Sequence, residues 1–113
     1  MEIKVIALEP DYTHLALEGR LDVIGAGEVE NKFIGFTVAR KQNALVDLEG
    51  ITFLGSMGLR IFISTAKALG LEGKKLVLVN AKPLVKDVLE ASGITTFIPV
   101  EDSTEAGILQ AKS

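Results

Sequence analysis

The chain lacks cysteine and tryptophan and has a single histidine among its 113 residues. Without thiols there can be no disulfide, no thiolate zinc site and no cysteine nucleophile. One histidine and scattered acids do not form a ligand cluster, so neither a metal nor a cofactor is expected. A strong charge imbalance is also missing: 12 basic residues stand against 15 acidic ones, a formal net charge of −3. No basic stripe is present, which argues against a nucleic-acid partner. No apolar run approaches the roughly 20 residues that span a bilayer, so no membrane partner is expected. Met1-Glu2-Ile3-Lys4-Val5 lacks the basic start and long apolar run of a secretory leader, and a cytoplasmic location is the expectation.

What is present is apolar content: hydrophobic residues make up 48% of the chain. That is far too much for a disordered segment and enough for a buried core. With no linker, repeat or low-complexity segment, residues 1–113 are read as one domain.

Periodicity gives the elements. Ile3, Val5 and Ala7 alternate with polar residues, as do Leu15 and Leu17, and Glu9-Pro10-Asp11 lies between them as a turn. These segments predict a hairpin that ends at Gly19. From about Gly25 to Arg40 the spacing becomes helical, with Val29, Phe33, Phe36 and Arg40 on one stripe. Ala44 to Leu48 is a short apolar run that suits a strand buried on both faces, followed by a short loop to Ser56. A second helix starts at Ser56, with Leu59, Phe62, Ile63, Ala66 and Leu69 inward and Gly70 or Gly73 ending it. Lys75 to Val79 predicts another buried strand. Pro83 suits the first turn of a third helix, with Leu84, Val85, Val88 and Leu89 inward and Gly93 closing it. Thr95 to Val100 reads as a short last strand, held to an edge or an end by Pro99. Asp102 or Ser103 caps a final helix running to about Gln110. The order β-β-α-β-α-β-α-β-α predicts an α/β fold with a mixed central sheet packed with helices, its later strands parallel with right-handed crossovers.

Most site chemistries fail on spacing. A nucleophile elbow needs Gly-x-Ser-x-Gly, but Leu54 stands two residues before Ser56. The only histidine, His14, precedes Ser56 and falls in the hairpin, where it is expected on the surface. A serine without a base is a poor nucleophile, so no enzyme is expected. Gly50 to Gly55 has the spacing of a phosphate loop, but Ser56 stands where lysine is required. Gly25-Ala26-Gly27 would need a further glycine at position 30, where Glu30 stands.

What survives is a loop-to-helix edge made of Asp22, Gly55, Ser56, Met57 and Gly58. A hydroxyl at a helix N-terminus lies beside unpaired N–H groups that favour a phosphate. The plainer alternative makes Ser56 the cap of the second helix, Asp22 the cap of the first, Met57 a packing residue and the glycines turn residues. Local physics leaves both open.

Four segments carry a resemblance: Gly19-Arg20-Leu21-Asp22, Val46-Asp47-Leu48-Glu49-Gly50-Ile51-Thr52-Phe53-Leu54, Ser56-Met57-Gly58-Leu59 and Leu76-Val77-Leu78-Val79-Asn80. In this order and spacing they resemble the STAS domain family, nearest to the bacterial anti-sigma-factor antagonists. The resemblance implies a STAS-like domain that binds an anti-sigma factor with serine kinase activity and so frees the sigma factor. It also implies that the kinase phosphorylates Ser56 and ends the complex, that a phosphatase reverses this, and that Asp22 is the aspartate beside the site. Asp22, Gly55, Ser56, Met57 and Gly58 would then form the partner-binding edge. The family usually reads Asp-Ser-Ser-Gly or Asp-Ser-Thr-Gly here, whereas this chain has Gly55 and Met57 around Ser56. Loss of the acid lowers the electrostatic cost of a dianion and removes a group a kinase could contact. The alternative implied by that departure is an unphosphorylated STAS scaffold or interaction subunit of another signalling complex.

Overall fold

A computed structural model describes residues 1–113. Strand β1 (Glu2–Leu8) pairs antiparallel with β2 (Tyr12–Leu21), Ile3 opposite Leu17 and Val5 opposite Leu15. Glu9 N–H donates to the Tyr12 carbonyl at 2.9 Å and closes the turn between them. The pairing of β1 with β2 ends at Glu18, beside the expected Gly19, but strand β2 itself runs on to Leu21 along β3. The strand bulges at Gly19, which takes φ +114°, and pairing resumes with Arg20 opposite Phe53 and Leu21 opposite Leu54. A side chain at Gly19 would be strained in that conformation, so the glycine permits the bend rather than a stop.

Helix α1 (Val23–Phe36) follows, and its buried side includes Val29 and Phe33. It stops short of the expected Arg40. Thr37 is buried and its hydroxyl donates to the Phe33 carbonyl at 2.6 Å, after which Val38–Arg40 forms one tighter turn. Arg40 is exposed rather than inward, and its Nε donates to Thr13 Oγ1 at 2.9 Å.

Strand β3 (Asn43–Leu54) is longer than the expected Ala44–Leu48 core, because the segment expected to loop toward Ser56 is strand. Gly50 fits this pairing: a Cβ there would lie 2.6 Å from Glu18 Cγ, beside the irregularity in the β2–β3 register. Helix α2 (Ser56–Leu71) buries Gly58, Ile61, Phe62, Thr65 and Leu69. Leu59, Ile63 and Ala66 are only half-buried or lie at the flanks of that face, so the inward stripe is rotated about the helix axis from the expected one. Strand β4 (Leu76–Val79) is buried throughout.

Helix α3 (Pro83–Ala91) starts on Pro83 and buries Val85 and Leu89. Leu84, expected inward, is 79% exposed. Gly93 adopts φ +79° just after the helix, as a left-handed closing residue should. The expected last strand is mostly absent. Ile94–Thr96 forms a single tight turn, and β5 is only Val100–Glu101, because Pro99 cannot donate to the ladder. Helix α4 (Thr104–Lys112) is capped by Ser103, whose hydroxyl accepts from Ala106 N–H at 3.1 Å.

The five strands lie in the order β1-β2-β3-β4-β5, parallel from β2 onward. Each crossover steps the same way along the sheet, so α1, α2 and α3 cover one face. Leu15, Leu17, Val46, Leu48 and Leu78 meet Phe33, Phe62 and Leu89 there in the main core. α4 covers the other face, where Ala111 packs with Tyr12, Leu45, Val77 and Val79. Strand alternation puts His14 on this second face. It is buried, not on the surface, and its Nε2 has no hydrogen-bond partner.

Candidate functional site

The expected residues converge where β2 and β3 end side by side. Leu21 and Leu54 are register partners, and Gly55 N–H donates to the Leu21 carbonyl at 3.0 Å. That bond ties the starts of α1 and α2 together, so Asp22 and Ser56 share one edge.

Asp22 is the N-cap of α1: its Oδ1 accepts from Gly25 N–H at 2.8 Å. This bond, helped by Arg20, holds its carboxyl below the usual carboxylate range, so it is ionised at neutral pH. Gly25 is required here, because a Cβ would collide with the Arg20 carbonyl.

Ser56 is not a cap. Gly55 occupies the N-cap position of α2 in extended backbone and supplies no side-chain bond. Ser56 is the first helical residue, and it is exposed. The first intrahelical bond runs from Leu59 N–H to the Gly55 carbonyl at 3.1 Å. The N–H groups of Ser56, Met57 and Gly58 precede it and point out of the helix end as unpaired donors. Met57 is half-buried against the core. Gly58 is buried because α2 sits directly on the strand ends: a Cβ there would lie 2.6 Å from Leu21 Cγ and 2.7 Å from Leu54 Cδ1.

Arg20 and Phe53 also join the edge, and sequence reasoning gives neither a role there. The Arg20 guanidinium lies 4.5 Å from the centre of the Phe53 ring, and its Nε is 3.5 Å from Asp22 Oδ2. The Phe53 ring in turn crowds Gly55. The available signal is spacing: Phe53 stands two before Gly55, hence on the same side of an extended segment. A loop reading of that segment hides it.

No base stands at Ser56. His14 pairs with Leu45, near the opposite end of β3, and burial pushes its imidazole toward the neutral form. The arrangement suits acceptance of an anion or a modifying group at an exposed hydroxyl, with helix N–H groups to receive negative charge.

Comparison with known proteins agrees with this architecture. The STAS domain model matches residues 5–107. BtrV of Bordetella bronchiseptica, named as a candidate anti-sigma factor antagonist, is 30% identical over 97 residues, 86% of this chain and 84% of that protein. The anti-sigma-B factor antagonist of Staphylococcus aureus is 28% identical over 94 residues, 83% of this chain and 87% of that protein. The crystal structure of an anti-sigma factor antagonist from Mycobacterium paratuberculosis superposes with a TM-score of 0.85 at 23% identity, covering 99% of this chain and 96% of that one. The mixed sheet, the three helices on one face and the match along most of the chain place this protein in the STAS domain family.

Proposed function

We propose that the protein is an anti-sigma-factor antagonist that docks on an anti-sigma factor through the edge formed by Asp22, Gly55, Ser56 and Met57, with the buried Gly58 seating α2 beneath that edge, and that phosphorylation of Ser56 switches the docking off. Its action would be binding rather than catalysis, in the cytoplasm. The observation that carries the reading is the position of Ser56: exposed, first in α2, and not used as the cap.

The switch follows from charge. A partner kinase would transfer the terminal phosphoryl group of ATP to Ser56 Oγ, release ADP and take up the hydroxyl proton. The product carries about −1.5 to −2 charges and three acceptor oxygens. The N-terminus of α2 favours negative charge, so the fold tolerates it. A docked partner with apolar or acidic groups does not. A hundredfold loss of affinity needs only about 2.7 kcal/mol, within reach of one mismatched buried charge.

The test is an intact-mass measurement after incubation with the candidate anti-sigma kinase and ATP. One added phosphate on the wild type and none on Ser56→Ala supports the switch. Tight binding with no phosphate on either protein supports the second reading, a constitutive STAS interaction subunit. Gly55 and Met57 are what favour that reading, since neither offers the acid or second hydroxyl of the family pattern.

A further inference from the structure

We propose that Arg20 is an internal receptor for the charge Ser56 acquires: a guanidinium resting on Phe53, loosely paired with Asp22, that passes to a phosphate on Ser56. The inference rests on the reading of Ser56 as a phosphorylation site and adds how the modified state is held.

Position comes first. Arg20 stacks at 4.5 Å on the Phe53 ring, and Phe53 Cε2 lies 3.1 Å from where a Gly55 side chain would begin. Phe53 thus has Arg20 as one neighbour and Gly55, the residue that precedes Ser56, as another. The stacking of Arg20 on an aromatic face keeps the planar fork at the end of the sheet rather than free in solvent.

Availability comes second. The Nε to Asp22 Oδ2 separation is 3.5 Å, and the two side chains are 63% and 35% exposed. A charge-assisted bond of full strength is shorter, roughly 2.7–2.9 Å. Asp22 is held mainly by another bond, its other oxygen accepting from Gly25 N–H at 2.8 Å. A phosphate offers more charge and a geometry that the guanidinium fork can meet with two parallel bonds.

A glycine rather than an acid at position 55 completes the case. An acid there would compete for Arg20 and repel the phosphate. In this chain the carboxylate that holds Arg20 is Asp22. Transfer of Arg20 would offset the repulsion between Asp22 and the new dianion. It would also withdraw a cation from the docking edge, so that modification removes an attractive group as well as adding a repulsive one.

The test uses phosphoserine inserted at position 56 during translation, so that no kinase is needed, and follows the phosphate by 31P NMR against pH. In the wild type the second ionisation should fall about half a unit below that of Arg20→Gln, roughly a threefold change in the constant, with Arg20→Lys between them. Identical titration in wild type and Arg20→Gln overturns the proposal. If Arg20→Gln does not fold, the Arg20 Nε–H resonance of the wild-type phosphoprotein decides: it should move with the phosphate's own midpoint, and a flat response overturns the proposal. Failure of a kinase to modify Ser56 would count against the functional reading and leave this titration unaffected.

Discussion

The ring of Phe53 stands where a side chain on Gly55 would begin: Cε2 lies 3.1 Å from the Cβ position of that residue. Gly55 has φ −105° and ψ −176°, a backbone open to any residue, so the glycine is there for space and not for conformation. One turn further on, Gly58 is also there for space, but its neighbours are the buried Leu21 and Leu54 at 2.6 and 2.7 Å. The two glycines should therefore respond differently to the same change.

Gly58→Ala should cost about 1–3 kcal/mol, because buried leucines must shift to admit the methyl group. Gly55→Ala should change stability by less than about 1 kcal/mol, since a half-exposed phenyl ring can swing away and the unfolded chain loses freedom. Urea unfolding of both variants tests this. Equal losses would mean that Phe53 is held as firmly as the core.

Phe62 is fully buried and packs on Phe33 at 6.0 Å between ring centres, tilted by 57°. It joins α2 to α1 across the main core. Phe62→Ala should destabilise the protein by about 3–5 kcal/mol in the same assay. A loss under about 1 kcal/mol would contradict the placement of the α2 face.

His14 gives a pH dependence with a definite sign. Burial lowers its pKa from the ordinary 6.5, outweighing the opposing pull of Asp47. The folded state therefore binds its proton more weakly than the unfolded state does. The resulting stability is fully present above about pH 6.5 and is lost as pH falls from there through the lower folded value. His14→Gln should flatten the stability profile in that window. A wild-type profile flat from about pH 7 to 5 would show that His14 is solvated.

Much of the fold is legible in the amino-acid sequence. The alternation at Ile3, Val5, Leu15 and Leu17, the apolar runs at Ala44–Leu48, broken only by Asp47, and at Leu76–Val79, and Pro83 and Gly93 at the two ends of α3 are local signals that agree with tertiary packing. The differences fall where long-range pairing decides. Ile51 to Leu54 has the local look of a loop, but β2 continues past its Gly19 bulge and pairs with it. Leu84 has the right spacing to face inward, yet α3 turns Val85 and Leu89 to the core and leaves Leu84 on its outer side. His14 has the setting of a surface residue until α4, from the far end of the chain, covers its face of the sheet. At the site, the capping role of Asp22 is legible from its place before an apolar helix. Ser56 lies at the expected helix end, but Gly55 takes the cap position that the plainer reading gives to the serine. The stack of Arg20 on Phe53 is hidden from local reading, because it depends on strand register.

Negative charge on Ser56 should end docking while leaving the fold intact. The direct measurement is calorimetric titration of the anti-sigma kinase against two forms of the protein, with serine or phosphoserine at position 56, with a thermal melt of each form. The two forms should melt closely alike, and the phosphorylated form should bind more weakly by about a hundredfold, or about 2.7 kcal/mol. Equal affinities with equal melts would contradict a charge switch at Ser56.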